Sequence, residues 1–344
     1  MFESPSRTMT VTARVCKAPD YITPPAQALV RPAEQLPVRR AARYFALNAV
    51  RPSPMGAWWF AVRPQTLTVS LVPVILGHAL AWSQQGVLHG WLALLALLAA
   101  LLIQVGTNLH NDVADFERGI DTPERLGPPR ATAMGWLPAA AVRRGAWVAF
   151  ALACNFGVYL AYHGGWPMVL IGLASLLAGW AYTGGPRPIG YTPLGEVFVL
   201  LFFGLVAVDG SYYLQTLSIS PAALLAGAMV GLFAAAVITV NNTRDLDTDR
   251  RAGRRTLAVV LGRRAAGWVY CGELLLPFVL LPCLALLIER GVWLVLTLLT
   301  LPPVLRLTKR FRQAALGPAF NQLLVATARL QFLFGVLLAL AVLL

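Results

Sequence analysis

Residues 91–121 read WLALLALLAALLIQVGTNLHNDVADFERGID, an apolar run from Trp91 to Gly106 that passes without a break into Asn108, Asn111, Asp112, Asp115, Glu117 and Asp121. A second apolar run passes in the same way into Asn241-Asn242-Thr-Arg244-Asp245-Leu-Asp247-Thr-Asp249-Arg250. Only 15 of 344 residues are acidic, and nine of them (Asp112, Asp115, Glu117, Asp121, Glu124, Asp245, Asp247, Asp249 and Glu273) fall in or near these two places. A carboxylate at the centre of a bilayer costs roughly 2.5–3.5 kcal/mol, so acids grouped at the ends of apolar runs point to function.

Runs of about 18 or more apolar residues, the length that spans a bilayer as a helix, recur from Leu67 to Leu344 in a chain that is 58% hydrophobic. Hydropathy places about nine spans, near 67–82, 90–108, 145–162, 166–183, 194–215, 222–240, 265–288, 291–305 and 323–344. Inside lipid the backbone must satisfy its own hydrogen bonds. The expected fold is therefore an all-α polytopic bundle, with the acidic loops as caps at one end. Asp209 is read as the one acid in mid-span.

The net charge of +13 would suit a nucleic-acid partner, but its distribution argues against one. The cations lie in alternate links: Arg118, Arg125, Arg130, Arg143 and Arg144 after span two, and Arg187 after span four. Arg244 to Arg264 follow span six, and Arg306 to Arg312 follow span eight. The intervening links are short and nearly uncharged. By the positive-inside rule the N-terminus and both acidic motifs are cytoplasmic and the C-terminus is outside, in what would be a bacterial inner membrane. Residues 1–55, basic and proline-containing with no long apolar run, read as a disordered tail before a membrane domain at 56–344. They carry no secretory signal. A transit peptide is a weaker reading, and translation starting at Met55 is another, which the intact mass of the native protein decides. The cysteines (Cys16, Cys154, Cys271, Cys283) show no metal or disulfide spacing. His110 reads as a neighbour of the first motif rather than a ligand.

Three- and four-residue spacings share a helix face, so Asp112 can point with Asp115 and Asp245 with Asp249. Asp247 points away, and Asp121 lies beyond a break at Gly119. Facing carboxylates repel, and a divalent cation relieves the repulsion. Mg²⁺ takes oxygen ligands and is completed by substrate phosphate. Asn108, Asn111, Asn241 and Asn242 can add neutral oxygens, and Arg118, Arg125, Arg130, Arg244 and Arg250 can neutralise phosphate. Mg²⁺ and arginines together make diphosphate a better leaving group. An apolar bundle can hold an isoprenoid tail, and aromatic rings can stabilise an allylic cation. The candidate rings are Phe116, Trp136, Tyr182, Phe202, Phe203, Tyr212 and Tyr213, although each is more often lipid-facing or core. The equal spacing of Asn111–Asp115 and Asn241–Asp245 suggests a duplicated unit of about four helices.

From Trp58 to Leu344 the chain resembles the UbiA superfamily of intramembrane aromatic prenyltransferases, and within it the branch acting on 1,4-dihydroxy-2-naphthoate in menaquinone synthesis. Four stretches carry the resemblance in order: Arg63-Pro64-x-Thr66-Leu67; Asn108 to Asp121 with Arg125-Leu-Gly127-Pro128; Tyr182-Thr-Gly-Gly-Pro186-Arg187-Pro188 with Gly195-Glu196; and Asn241 to Arg250 with Gly253 and Thr256-Leu257-Ala258. The resemblance implies Asn111, Asp115, Asp121, Asp245 and Asp249 as the catalytic Mg²⁺–diphosphate set, with Asp112 beside them. It implies Arg63, Arg118, Arg130, Arg187, Arg244 and Arg250 as diphosphate contacts, and Tyr182, Asn108 and Asn242 as contacts of the aromatic acid acceptor. The implied reaction moves a polyprenyl group from its diphosphate to the naphthoate with decarboxylation, giving demethylmenaquinol. Another acceptor such as 4-hydroxybenzoate is the alternative, and a transporter is a remote one.

Overall fold

A computed structural model describes residues 51–121, 125–317 and 319–344. Residues 1–50 of the tail expected over 1–55, which include Cys16, and Glu124 lie outside the described residues. The described residues form helices and no strand: α1 (Pro54–Val62), α2 (Pro64–Gln85), α3 (Gly90–Glu117), α4 (Ala139–Ala181), α5 (Gly195–Thr216), α6 (Pro221–Arg244), α7 (Leu246–Arg251), α8 (Leu257–Ala285), α9 (Gly291–Gln313) and α10 (Ala319–Leu343).

Local sequence sets several of these boundaries. Ser53 accepts the amide of Gly56 at 3.1 Å and Pro54 opens α1, a cap and a first-turn proline together. Ser220 and Pro221 start α6 in the same way. Arg63 takes a left-handed conformation (φ 55°) between α1 and α2, and Pro64 then begins α2. α3 ends at Glu117, and Gly119 (φ 68°) supplies the expected break before Asp121.

Eight helical stretches are long and apolar enough to cross a bilayer, α1 and α2 counting as one. α4 holds two crossings. As a straight rod its 43 residues would reach about 65 Å, twice the ~30 Å hydrocarbon core. It breaks at Gly165 (φ 70°, ψ −161°). Phe150 from the first half packs on Gly106 of α3, and a methyl group on Gly179 from the second half would meet Thr107 and the same Phe150 ring. Residues that far apart along the chain meet only if the halves fold back as a hairpin, which makes nine spans among the described residues.

α6 is the most buried span. Its Gly227 and Gly231 admit α5 to backbone contact at Gly204, where a Cβ would lie 2.5 Å from the Gly227 carbonyl oxygen. Small residues at such crossings let membrane helices pack closely. α5 widens into a π-turn over Leu201–Val206 at this contact, the kind of local bulge that re-aims flanking side chains. On its other side α6 presents Phe233 to Phe334 of α10, with ring centroids 4.4 Å apart. Exposed large apolar side chains along α4, α8 and α9, with Trp147, Trp166 and Trp268 among them, form the lipid-facing surface together with Trp59 of α1 and Trp91 of α3.

Asp209 is not the one mid-span acid. Its carboxylate oxygens are buried without a hydrogen-bond partner, but Glu273 also lies inside the bundle, on α8, where the Thr239 hydroxyl of α6 donates to it at 3.0 Å. Glu273 belongs to the helix packing rather than to the motif loops.

Candidate active site

The first motif rides on about the last three turns of α3, and the second on the α6 end and α7. Between them come three loops: residues 125–138, residues 182–194 and residues 252–256. Asp115 ties all three together. Arg130 donates to its Oδ2 at 2.9 Å, while Arg254 at 2.8 Å and the Tyr191 hydroxyl at 2.5 Å share its Oδ1. The loops are also joined to one another, since the Arg255 amide donates to the Tyr191 carbonyl at 2.9 Å. The Arg254 guanidinium lies 4.0 Å over the Tyr191 ring.

Arg254 also joins the motifs. Its Nη1 donates to Asp249 Oδ1 at 3.2 Å while Nη2 holds Asp115. Carboxylates from α3 and α7 thus converge on one cation. Asp121 lies beside this pair. Arg125 donates to its Oδ1 at 2.6 Å and Arg130 Nε stands 3.7 Å away, whereas its Oδ2 is buried with no partner. Burial pushes the carboxyls of Asp121 and Asp249 each up to about 6, against the pull of Arg125 on the one and Arg254 on the other. Burial and the Asp115 carboxylate raise the Tyr191 hydroxyl, which therefore remains a donor.

Several expected ligands are committed to the protein. Asp112 accepts the amides of Ala131 and Thr132 at 3.1 and 3.0 Å, together with the Thr132 hydroxyl, so it anchors the 125–138 loop. Asp245 takes a two-point contact from Arg244 at 2.8 and 2.6 Å. Arg244 also reaches Asn241 and Asn321. Arg118 is spent on the carbonyls of Thr183 and Gly185. Arg63 donates to Asn111 at 3.1 Å. Arg187 and Arg250 are exposed, with no ion pair to a described residue.

Of the three residues expected at the acceptor, Tyr182 and Asn242 stand together and Asn108 stands apart. Asn242 donates to Glu196 at 2.9 Å, and the Tyr182 hydroxyl lies beside Gly195, where burial and the Glu196 carboxylate keep it protonated. Tyr182 and Phe203 pack with Val69, Val199, Ala234 and Ile238. Asn108 gives its amide to the Val62 carbonyl and the Thr66 hydroxyl at 2.8 and 2.9 Å, fastening the α1–α2 joint. Tyr212 and Tyr213 bond Gln85 and Gly164 at the opposite end of the bundle. His110 turns away from Asp115, stacks on Trp180 and faces a cleft of about 300 Å³ on the outer side of α3. Cys154, Cys271 and Cys283 are free thiols.

Arg254, Tyr191 and Glu196 are the functional candidates that sequence reasoning passed over as such. Arg254 was one cation among many in its link. The available signal was Gly253, whose positive φ (73°) folds the chain back toward Asp249.

The donor set suits a hard cation: carboxylate oxygens from two motifs, with neutral amides beside them. In this conformation the carboxylates are turned onto guanidinium and amide groups, and among the described residues no three acidic, histidine or cysteine side chains already surround a metal position. Five carboxylates (Asp112, Asp115, Asp121, Asp245, Asp249) face five guanidinium groups (Arg63, Arg125, Arg130, Arg244, Arg254), so charges balance within the cluster, with Arg187 and Arg250 at exposed positions outside that count.

A nine-span helical bundle with paired acidic motifs and a cluster of arginines at one end matches a known family. The family model described as UbiA prenyltransferase family aligns with residues 70–324, and the chain belongs to that family. It is therefore a membrane-embedded prenyltransferase, as its sequence resemblance implied. The 1,4-dihydroxy-2-naphthoate octaprenyltransferase of Bacillus subtilis (strain 168) is 33% identical over 285 residues, 83% of this chain and 91% of the relative. The protein of the same name from Escherichia coli (strain K12) is 41% identical over 60% of this chain and 68% of its own. The human UbiA prenyltransferase domain-containing protein 1 is 34% identical over 81% of each chain. Among solved structures, a UbiA homologue from Archaeoglobus fulgidus bound to GPP and Mg²⁺ superposes with a TM-score of 0.63 at 18% identity, covering 83% of this chain and 99% of that one. That likeness is one of fold.

Proposed function

We propose that the protein transfers a polyprenyl group from polyprenyl diphosphate to 1,4-dihydroxy-2-naphthoate, with loss of CO₂, to give demethylmenaquinol. The observation that carries the reading is the convergence of Asp115 and Asp249, from separate motifs, on one site ringed by arginines. The names of the bacterial relatives support the naphthoate as acceptor.

The near balance of charge explains why metal and diphosphate would enter together. Bare diphosphate would draw the arginines away from Asp115, Asp121 and Asp249, and bare metal would draw those carboxylates away from the arginines. Their complex adds little net charge and gives each set an opposite partner. Mg²⁺ would be held by Asp115, Asp121 and Asp249 with Asn111, and would supply Lewis-acid stabilisation of the departing diphosphate. Asp245 and Asp112 would act mainly by holding Arg244 and the 125–138 loop in place.

The chain's own residues carry the rest. Arg130, Arg187 and Arg250 receive the diphosphate oxygens as the C–O bond breaks and its electron pair leaves with the diphosphate. Tyr182 and Asn242 orient the acceptor over Glu196. The ring carbon beside the carboxylate forms the new C–C bond and loses its proton. The carboxylate then leaves as CO₂, its electron pair returns to the ring, and a proton takes its place, so no net acid or base is consumed. Phe203 and Tyr182 pack against Val69, Val199 and Ala234 and would stabilise positive charge on the allylic carbon. The motif loops are placed on the cytoplasmic side and the C-terminus outside, which the arginine-rich alternate links support.

The test is a transfer assay on purified protein with Mg²⁺, a long-chain polyprenyl diphosphate and either dihydroxynaphthoate or 4-hydroxybenzoate. A prenylated, decarboxylated naphthalene product is expected. Product from the benzoate alone overturns the acceptor, and no product from either overturns the reading.

A further inference from the structure

Arg254 occupies a peculiar position for a residue outside both acidic motifs. It lies past the left-handed turn at Gly253, and its guanidinium spans the gap between Asp115 of α3 and Asp249 of α7 at 2.8 and 3.2 Å. One of its faces is covered by the Tyr191 ring at 4.0 Å. Its Nε is buried and has no acceptor. Two carboxylates from different helices repel each other in a poorly hydrated site unless a cation or a proton lies between them. Here that cation is a side chain. A guanidinium suits the place because its planar fork can donate to two acceptors at once, and because its loss of water on burial costs less than an ammonium's.

We propose that Arg254 is the resident cation of this site: it holds the two acidic motifs together before substrate arrives, competes with the divalent metal for Asp115 and Asp249, and passes to the diphosphate when the metal takes its place. The exchange moves one charge a short distance. The metal gains two carboxylates, Arg254 gains phosphate oxygens, and its open Nε gains an acceptor. Tyr191 remains as the platform on which the guanidinium turns. Arg254 is thus a positioning residue for metal entry, and metal binding becomes coupled to diphosphate binding. The inference rests on the proposed metal–diphosphate reading of the site.

The test is calorimetric titration of the metal-stripped, full-length protein in detergent. Mg²⁺ is added with and without methylene diphosphonate, a non-reacting diphosphate, to wild type, Arg254→Gln and Arg254→Lys. Without diphosphonate, Arg254→Gln should bind Mg²⁺ about tenfold tighter than wild type, because the competing charge has gone. With diphosphonate the order should reverse, because a phosphate contact has been lost. A purely structural role for Arg254 predicts weaker Mg²⁺ binding in both conditions and would overturn the proposal, as would unchanged binding. Should the glutamine variant not fold, Arg254→Lys serves. A single ammonium cannot fork to both carboxylates, so Mg²⁺ alone should bind about threefold tighter, and unchanged affinity refutes the exchange. Wild type that binds no Mg²⁺ even with diphosphonate overturns the metal reading itself, a different failure from wild type that binds normally and a variant that does not differ from it.

Discussion

Asp115→Ala removes the carboxylate on which three loops close, and the structure sets the size of the effect. The Asp115 side chain is 2% exposed and Arg130 is 6% exposed, so water screens their pair little. Breaking a buried pair by deleting one partner costs about 3–5 kcal/mol, because the other charge remains buried. Arg254 keeps Asp249 and is more exposed than Arg130, so the lower end of that range applies, about 3 kcal/mol. In a chain of 344 residues that corresponds to a fall in Tm of about 4 °C. Asp115→Asn retains one oxygen acceptor and should lose roughly half as much, by keeping one of the hydrogen bonds. Both variants should be folded in detergent and inactive in transfer. The measurement is thermal unfolding in EDTA beside the transfer assay. If Asp115→Ala melts within about 1 °C of wild type, the three-loop closure contributes little and the reasoning fails. If it melts early but still transfers at the wild-type rate, Asp115 does not serve the metal.

Asp121 and Asp249 have carboxyls raised to about 6 by burial, so their ionised forms are disfavoured in the fold. Their stabilising effect is complete below about pH 4 and is lost as pH rises toward about 6. The ionised forms are the ones a metal takes, so the rise in Tm on adding Mg²⁺ should grow across the same window and level off above it; a rise that shrinks as pH increases refutes this. Gly204→Ala places a methyl group 2.5 Å from the Gly227 carbonyl oxygen and 2.7 Å from Gly231 Cα. Backbone cannot yield as a side chain would, so a loss of about 1–3 kcal/mol is expected by detergent melting, and an unchanged Tm would mean that α5 and α6 do not touch there. Arg187→Ala and Arg250→Ala, at exposed positions, should leave stability within about 0.5 kcal/mol of wild type while raising KM for the prenyl diphosphate. Unchanged kinetics in both would remove them from the diphosphate site.

Hydropathy sufficed for the helical class and the number of crossings because a bilayer admits few alternatives. Even the hairpin inside α4 was legible, since residues 145–162 and 166–183 read as separate spans around His163-Gly-Gly165. The motif carboxylates were legible because acids are so scarce in this chain. What spacing did not convey is the direction in which each side chain turns. Asp112 and Asp115 share a face of α3, yet one is taken by backbone amides at 131–132 and the other by arginines. Asn108 belongs to the same motif and serves the α1–α2 joint instead. Those partners come from loops far along the chain, and their approach depends on packing that no local pattern encodes. Arg254 was hidden for a related reason. In an arginine-rich link the topological role of the charge masks any single residue that folds inward.

The hairpin at Gly165 bears on how the chain enters the membrane. Its link, His163 to Gly165, carries no acidic residue, lysine or arginine, and the turn is too tight to translocate as a separate loop. The two halves of α4 therefore carry no orientation signal at their junction. A junction this short favours insertion of the two halves as a pair, and the nearest charges that could orient them are Arg143 and Arg144 before and Arg187 after. Lengthening the junction would leave each half hydrophobic enough to cross alone, and would separate the steps of biogenesis that the tight turn now makes one.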